Sequence, residues 1–259
     1  MKIAVGIEYD GSAYCGWQSQ RGVRTIQAAV QGALGKIADH EVTVVCAGRT
    51  DTGVHAVEQV VHFETSAKRT MRSWVLGTNT HLPPDICLLW ARPVPARFHA
   101  RFAALSRQYR YIILNRPVPP AILAHRVTWQ HQPLNERHMH AAASKLIGEH
   151  DFSSFRALSC QAKHPIRTIY DISVRRERYC VYIDVHANGF LHHMVRNIAG
   201  VLIAVGKDER PVSWVQELLS LCDRSKGGVT AAADGLYLVK VNYEPMFGLS
   251  AEINAPRLW

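Results

Sequence analysis

The 259-residue chain is 47% hydrophobic and 20% charged, enough apolar material for one large domain or two ordinary ones. No run of about eighteen apolar residues occurs, which excludes a spanning helix, and MKIAVGIEYDG reads as a first β-strand rather than a signal peptide. The formal charge is +9, made of +3 over residues 1–104 and +6 over 105–259, an excess that attracts polyanions.

Lys2 to Asp10 alternates apolar and polar residues and predicts a strand. Gly11 to Gly22 reads as a loop carrying Tyr14, Trp17, Gln18 and Gln20. Thr25 is placed to cap a helix with apolar positions Ile26, Val30, Leu34 and Ile37. Strands are predicted over Val42–Ala47 and Val57–Phe63, a short helix over Met71–Thr78, and a strand over Ile86–Pro93. This order is β-α-β-β-α-β, the ferredoxin-like arrangement. Phe98-His99-Ala100-Arg101-Phe102 is a basic, aromatic connector, after which the order recurs. A strand over Arg107–Leu114 is followed by a Pro-rich loop, 117–133, and a helix over Glu136–Ile147 with Asn135 as cap. A strand pair, Ile166–Arg175 and Tyr179–Ala187, precedes helical spacing over Leu191–Val205. Pro211 fits the start of a further helix to Leu221, and Gly235–Asn242 is a final strand. The expected fold class is α+β. Two ferredoxin-like halves, 1–104 and 105–259, would join into one extended, mainly antiparallel sheet with helices on one face and a central cleft, where ligand sites are favoured.

The densest chemistry lies in CAGRTDTGVHAVEQVVHF, Cys46–Phe63. A polar loop, Gly48–Gly53, sits between two apolar runs, and rigid flanks suit a loop that carries reacting groups. It presents Asp51, with Arg49 two residues earlier. Asp-Thr-Gly also occurs in aspartic proteases, but that chemistry needs a second carboxylate, and no second D-T-G or D-S-G exists in the chain. A simple Asp-containing turn is the structural alternative. A single carboxylate can act as nucleophile or base, and a cation beside it would keep it ionised. Arg196, near the start of a mostly apolar helix, is the better candidate for that cation, because a buried Arg needs a partner. In SRQYRY, Arg107, Tyr109 and Tyr111 share one strand face and Gln108 and Arg110 the other. Arg and Tyr together suit base stacking and phosphate contact, while two core tyrosines are the plainer reading. The fourteen histidines show no metal-ligand spacing, and there is no P-loop and no G-x-G-x-x-G. The six cysteines lack C-x-x-C spacing and suggest reduced thiols in a cytoplasmic protein.

Taken as a series, these stretches resemble one family, the tRNA pseudouridine synthase A enzymes. The resemblance rests on YDGSAYCGWQSQ (Tyr9–Gln20), GRTDTGVHA (Gly48–Ala56), FHARF (Phe98–Phe102) and SRQYRY (Ser106–Tyr111). It continues through GEHDFSSF (Gly148–Phe155), RTI (Arg167–Ile169), ANGFLHHMVRNIAG (Ala187–Gly200) and TAAADGLYL (Thr230–Leu238). It implies isomerisation of uridine to pseudouridine at positions 38, 39 and 40 of the tRNA anticodon stem-loop, without cofactor or metal, by a cytoplasmic homodimer. Residue by residue, it implies that Asp51 is the essential aspartate and that Arg49 assists base flipping. It further implies that Tyr109 stacks on the flipped uracil, that Arg196 pairs with Asp51, and that Leu236 lines the uracil pocket. Ala232 departs from a Pro common in the family, which puts the shape of that turn in doubt.

Overall fold

The computed structural model describes residues 1–249, and the chain forms two compact units. The first is Met1–Ser106 together with the described residues from Tyr237 onward; the second is Arg107–Leu236. No helix among the described residues is long and apolar enough to cross a membrane.

In the first unit the elements are β1 (Lys2–Tyr9), α1 (Ile26–Ala38), β2 (Val45–Cys46), β3 (His55–Glu64), α2 (Met71–Asn79) and β4 (Ile86–Val94). The sheet order is β4-β1-β3-β2, with every neighbour antiparallel, which is the ferredoxin-like arrangement expected. Thr25 caps α1 by accepting from the Ala28 N–H, and Thr70 caps α2 by accepting from Ser73 N–H. Trp74 on α2 is fully buried edge-on to Phe63 of β3, ring centres 5.1 Å apart. Each such buried aromatic contributes about 1.5–3 kcal/mol.

The strand predicted over Val42–Ala47 shrinks to two residues. Side chains of α1 take the place of a strand partner before it. Gln31 Oε1 accepts the Val44 N–H at 3.2 Å, and Gln27 Nε2 donates to the Val44 carbonyl at 3.5 Å. The Gly11–Gly22 loop is not a surface loop throughout, because Tyr14 and Trp17 are buried at 3% and 1% exposure. Phe98 of the connector is core as well, packed on Tyr243 and Phe247, while Lys2 Nζ holds the Phe98 carbonyl at 3.0 Å.

The second unit follows β5 (Ala104–Asn115) with β6 (Thr128–Gln130), α3 (Glu136–Ala143), β7 (Gly148–Asp151), β8 (Ile166–Glu177), β9 (Cys180–Ala187), α4 (Met194–Gly206) and α5 (Trp214–Leu221). Its sheet runs β5-β9-β8-β7, antiparallel, with β6 parallel to β5. Asn135 caps α3 as expected, accepting from Arg137 and His138 N–H. Two short strands, β6 and β7, carry no alternation and were not expected. The helix expected from Leu191 begins at Met194, because His193 takes a left-handed conformation, φ 61°. The helix expected from Pro211 begins at Trp214, whose N–H closes a turn onto the Pro211 carbonyl. The last strand, β10 (Leu236–Tyr243), lies in sequence within the expected C-terminal half. Its residues from Tyr237 belong to the first unit, where Tyr237 and Leu238 pair in parallel with His55 and Ala56 of β3.

Candidate active site

The Asp51 loop leaves β2 and returns through β3, and groups on β1, in the 11–22 segment and on β3 itself hold it in place. Tyr9, the last residue of β1, meets the buried Thr50 hydroxyl at 2.8 Å. Trp17 N–H donates to the Thr50 carbonyl at 3.0 Å. Gln59, fully buried on β3, grips Gly48 at both ends: Nε2 donates to its carbonyl at 2.5 Å, and Oε1 accepts its N–H at 3.3 Å. The Asp51 carbonyl accepts the Val54 N–H at 3.1 Å and closes the turn. Beyond it, His55 Nδ1 accepts the Gly11 N–H at 3.1 Å, and its ring stacks on Tyr237 at 4.6 Å.

Gly16 makes this approach possible. Its φ is +77°, and a Cβ there would lie 2.7 Å from the Thr50 carbonyl oxygen and 3.0 Å from the Asp51 carbonyl carbon. The loop is thus over-determined, and Asp51 emerges from it half-buried, with Arg49 exposed two residues before. The neighbouring nucleophile, Cys46, is inert. Burial pushes its thiol up to about 12 against the pull of Arg49, so it stays protonated at neutral pH.

In the second unit, Tyr109 is half-buried on β5 and packs edge-to-face with Phe190, ring centres 5.0 Å apart. Tyr111, expected on the same face, is wholly buried. Its hydroxyl donates to the Ala232 carbonyl at 2.8 Å and meets Thr128 Oγ1 at 2.5 Å, and burial pushes its pKa well above the usual phenol range. Arg107 Nη1 donates to the Asn188 carbonyl at 3.1 Å. On the other face, Arg110 is buried and bidentate on Asp184, at 2.6 and 3.0 Å, and Arg175 reaches the same carboxylate at 2.8 Å. Both guanidiniums lie over the Tyr182 ring, at 5.2 and 4.6 Å. Tyr111 and Arg110 are therefore structural; the strand pattern set Arg110 on the other face but did not separate Tyr111 from Tyr109.

Arg196 stands in the first turn of α4, half-buried. Its Nε donates to the Ala231 carbonyl at 2.9 Å, and its own carbonyl accepts the Ala231 N–H at 3.1 Å. The following residue, Asn197, anchors the same segment: its Oδ1 accepts from the Thr230 hydroxyl at 2.7 Å and from Arg224 at 3.2 Å. Leu236 lies at the start of β10, 6% exposed, its N–H bonded to the Ala233 carbonyl at 2.8 Å.

A family model described as tRNA pseudouridine synthase matches residues 6–103 and 142–244. The chain is 54% identical over its whole length, and the whole of the relative's, to the tRNA pseudouridine synthase A of Nitrosococcus oceani. The chain belongs to the tRNA pseudouridine synthase family. The synthase is 56% identical to the Methylococcus capsulatus relative, over 97% of this chain and 93% of that one. It is 52% identical to the Hydrogenovibrio crunogenus relative, over 99% and 98%. Both relatives carry the same name, and pseudouridine synthases are isomerases. Among solved structures, an archaeal box H/ACA sRNP complex aligns at 12% identity and a TM-score of 0.33, over 78% of this chain and 43% of that one, too loosely to inform the fold.

In the synthase, Arg49 and Asp51 share one loop of the first unit, while Tyr109, Arg196 and Leu236 lie on β5, on α4 and at the start of β10. Tyr109 falls outside the stretches that the family model matches. Sequence reasoning missed the clamps on the loop, Gln59 above all. Its only signal was a polar Gln between Val57 and Val60–Val61 on β3, which its neighbour Glu58 shares.

Proposed function

We propose that the synthase converts uridine to pseudouridine at positions 38, 39 and 40 of the tRNA anticodon stem-loop. Asp51 is the catalytic residue, and Arg49, Tyr109, Arg196 and Leu236 bind the substrate. The observation that carries this reading is the Asp51 loop: a half-buried carboxylate on a backbone held by Tyr9, Trp17 and Gln59. Such a group is pre-organised and needs no rearrangement as the reaction proceeds.

The chemistry is an internal exchange of bonds. The N1–C1′ bond breaks, the uracil turns, C5 bonds to C1′, and the C5 proton leaves while N1 gains one. Atoms and electrons balance without an oxidant, reductant or cofactor. Asp51 either attacks C1′ or removes the C2′ proton to give a glycal, and one carboxylate serves either route. The base leaves its stack first, at a cost of a few kcal/mol. Arg49, exposed beside Asp51, is suited to fill the space left in the stack. Tyr109, half-buried with Phe190, offers a ring face for the flipped uracil.

The net charge of +9 supports a polyanionic substrate. The free thiols of all six cysteines support a reducing, cytoplasmic setting. A homodimer is the proposed working form, and light scattering on the pure protein should return about twice the 29.0 kDa chain mass. Function is tested by tritium release from 5-tritiated uridine in tRNAs with uridine at only one of the three positions. Wild-type protein should release tritium from each, and Asp51→Ala from none. Inactivity of the wild type on every tRNA would overturn the positions proposed, and full activity of Asp51→Ala would overturn the role of Asp51.

A further inference from the structure

Away from the Asp51 loop, the first unit carries a groove of about 490 Å³ between α1 and α2. Gly77 lets the two helices approach, since a Cβ there would lie 2.8 Å from Ile37 Cδ1. The rim is formed by Lys36, Arg69 and Arg72, all exposed, with Leu76 on the wall. Exposed Lys68 adjoins it. Neither α1 nor α2 contains an acidic residue, and none occurs from Thr65 to Thr80. Asp39, just past α1, is the nearest acid in sequence, and Glu64 is paired with Lys2 at 3.2 Å. Among the described residues, Lys36, Lys68, Arg69 and Arg72 make no ion pair; Arg69 bonds only the Lys68 carbonyl, at 3.2 Å. A shallow, open surface with this much uncompensated positive charge suits a phosphate backbone.

The groove is also separate from the Asp51 loop. Trp17, which binds the Thr50 carbonyl, receives the Gln27 N–H at the first turn of α1. Lys36 lies nine residues further along, about 14 Å at 1.5 Å per residue. We infer that the groove between α1 and α2 is a second docking surface for the RNA backbone, holding tRNA phosphates remote from the reacting nucleoside. This rests on the reading of tRNA as substrate.

The test neutralises the rim in the intact protein, Lys36→Gln with Arg69→Gln and Arg72→Gln. A control removes the same charge from exposed positions of the second unit, Arg137→Gln, Lys145→Gln and Arg210→Gln. Kd for tRNA is measured from about 0.05 to 0.2 M salt, with kcat and KM alongside. The groove variant should lower the slope of log K against log salt by roughly 2 to 3, since each phosphate contact contributes about 0.7–0.9. Its KM should rise severalfold while kcat stays within about twofold, and the control should change the slope by less than half as much. The single Arg72→Gln should lower the slope by roughly one, and it serves if the triple variant fails to fold. An equal change in groove and control variants would overturn the inference. So would an unchanged slope in the groove variant, which would leave an acidic protein as the occupant. The slope is read from binding alone, so wild-type inactivity would strike the functional reading and not this one.

Discussion

Gly16 offers the sharpest test of how the Asp51 loop is held. Gly16→Ala places a methyl 2.7 Å from the Thr50 carbonyl oxygen and 3.0 Å from the Asp51 carbonyl carbon, at a φ of +77°. The conformational strain of a left-handed non-glycine residue costs about 1–2 kcal/mol. The backbone contact is shorter than real Cβ atoms tolerate, so either the 11–22 segment or the Asp51 loop must move. Gly22→Ala provides the matched control, because its φ is +79° and a Cβ there meets nothing within 4 Å. Both variants therefore share the strain, and only Gly16→Ala displaces the loop. Gly22→Ala should lower Tm by about 2–6 °C and leave kcat within about twofold. Gly16→Ala should lower Tm further and cut kcat by roughly a hundredfold, the scale of a 1 Å misplacement of a reacting group. Thermal melts and single-turnover tritium release measure the two effects. Equal kcat in both variants would refute the claim that this contact positions Asp51.

Three other outcomes follow from single side chains. Burial holds the His62 ring down at about 4, and its Nδ1 accepts the Ala100 N–H at 3.1 Å, so the native protein resists protonation there while the unfolded chain takes a proton near 6.5. Stability should accordingly be full above pH 6.5 and fall toward pH 4, by at most roughly 3 kcal/mol from this group; His62→Gln should flatten chemical denaturation in that window, and an unaltered pH slope would disprove it. Arg110→Ala leaves Asp184 with Arg175 as an ion-pair partner, so the loss should be roughly 2–3 kcal/mol rather than the 3–5 of an orphaned buried charge; urea melts showing no loss would count against the network. Arg196→Lys keeps the charge but loses the planar guanidinium held at Nε by the Ala231 carbonyl; kcat should fall roughly tenfold or more with tRNA Kd nearly unchanged, and an unaltered kcat would show that orientation is immaterial.

Much of the architecture was legible in local pattern. The 3.6-residue spacing from Ile26 to Ile37, the caps at Thr25 and Asn135, and the apolar runs flanking Gly48–Gly53 depend on neighbours in the chain, so they can be read without the fold. The GRTDTGVHA stretch is likewise readable from sequence alone as a polar, Gly-flanked loop that presents one carboxylate, Asp51. What local pattern could not decide is which distant group each side chain meets. Tyr109 and Tyr111 are equivalent in period, yet one packs half-exposed on Phe190 and the other is sealed between Thr128, 17 residues on, and Ala232, 121 residues on. Val42 to Ala47 has strand composition, but glutamines of α1 claim the Val44 backbone and shorten it. β10 follows the second unit in sequence and pairs with β3 of the first, a choice made by long-range hydrogen bonds rather than by any property of GLYLVKVN. The Asp51 loop shows both contributions. Its sequence supplies the carboxylate and the turn, and only the packing of Tyr9, Gly16, Trp17 and Gln59 around it holds that carboxylate in one place, because those contacts join residues about thirty to forty positions apart, or eleven for Gln59 and Gly48, that no local period connects.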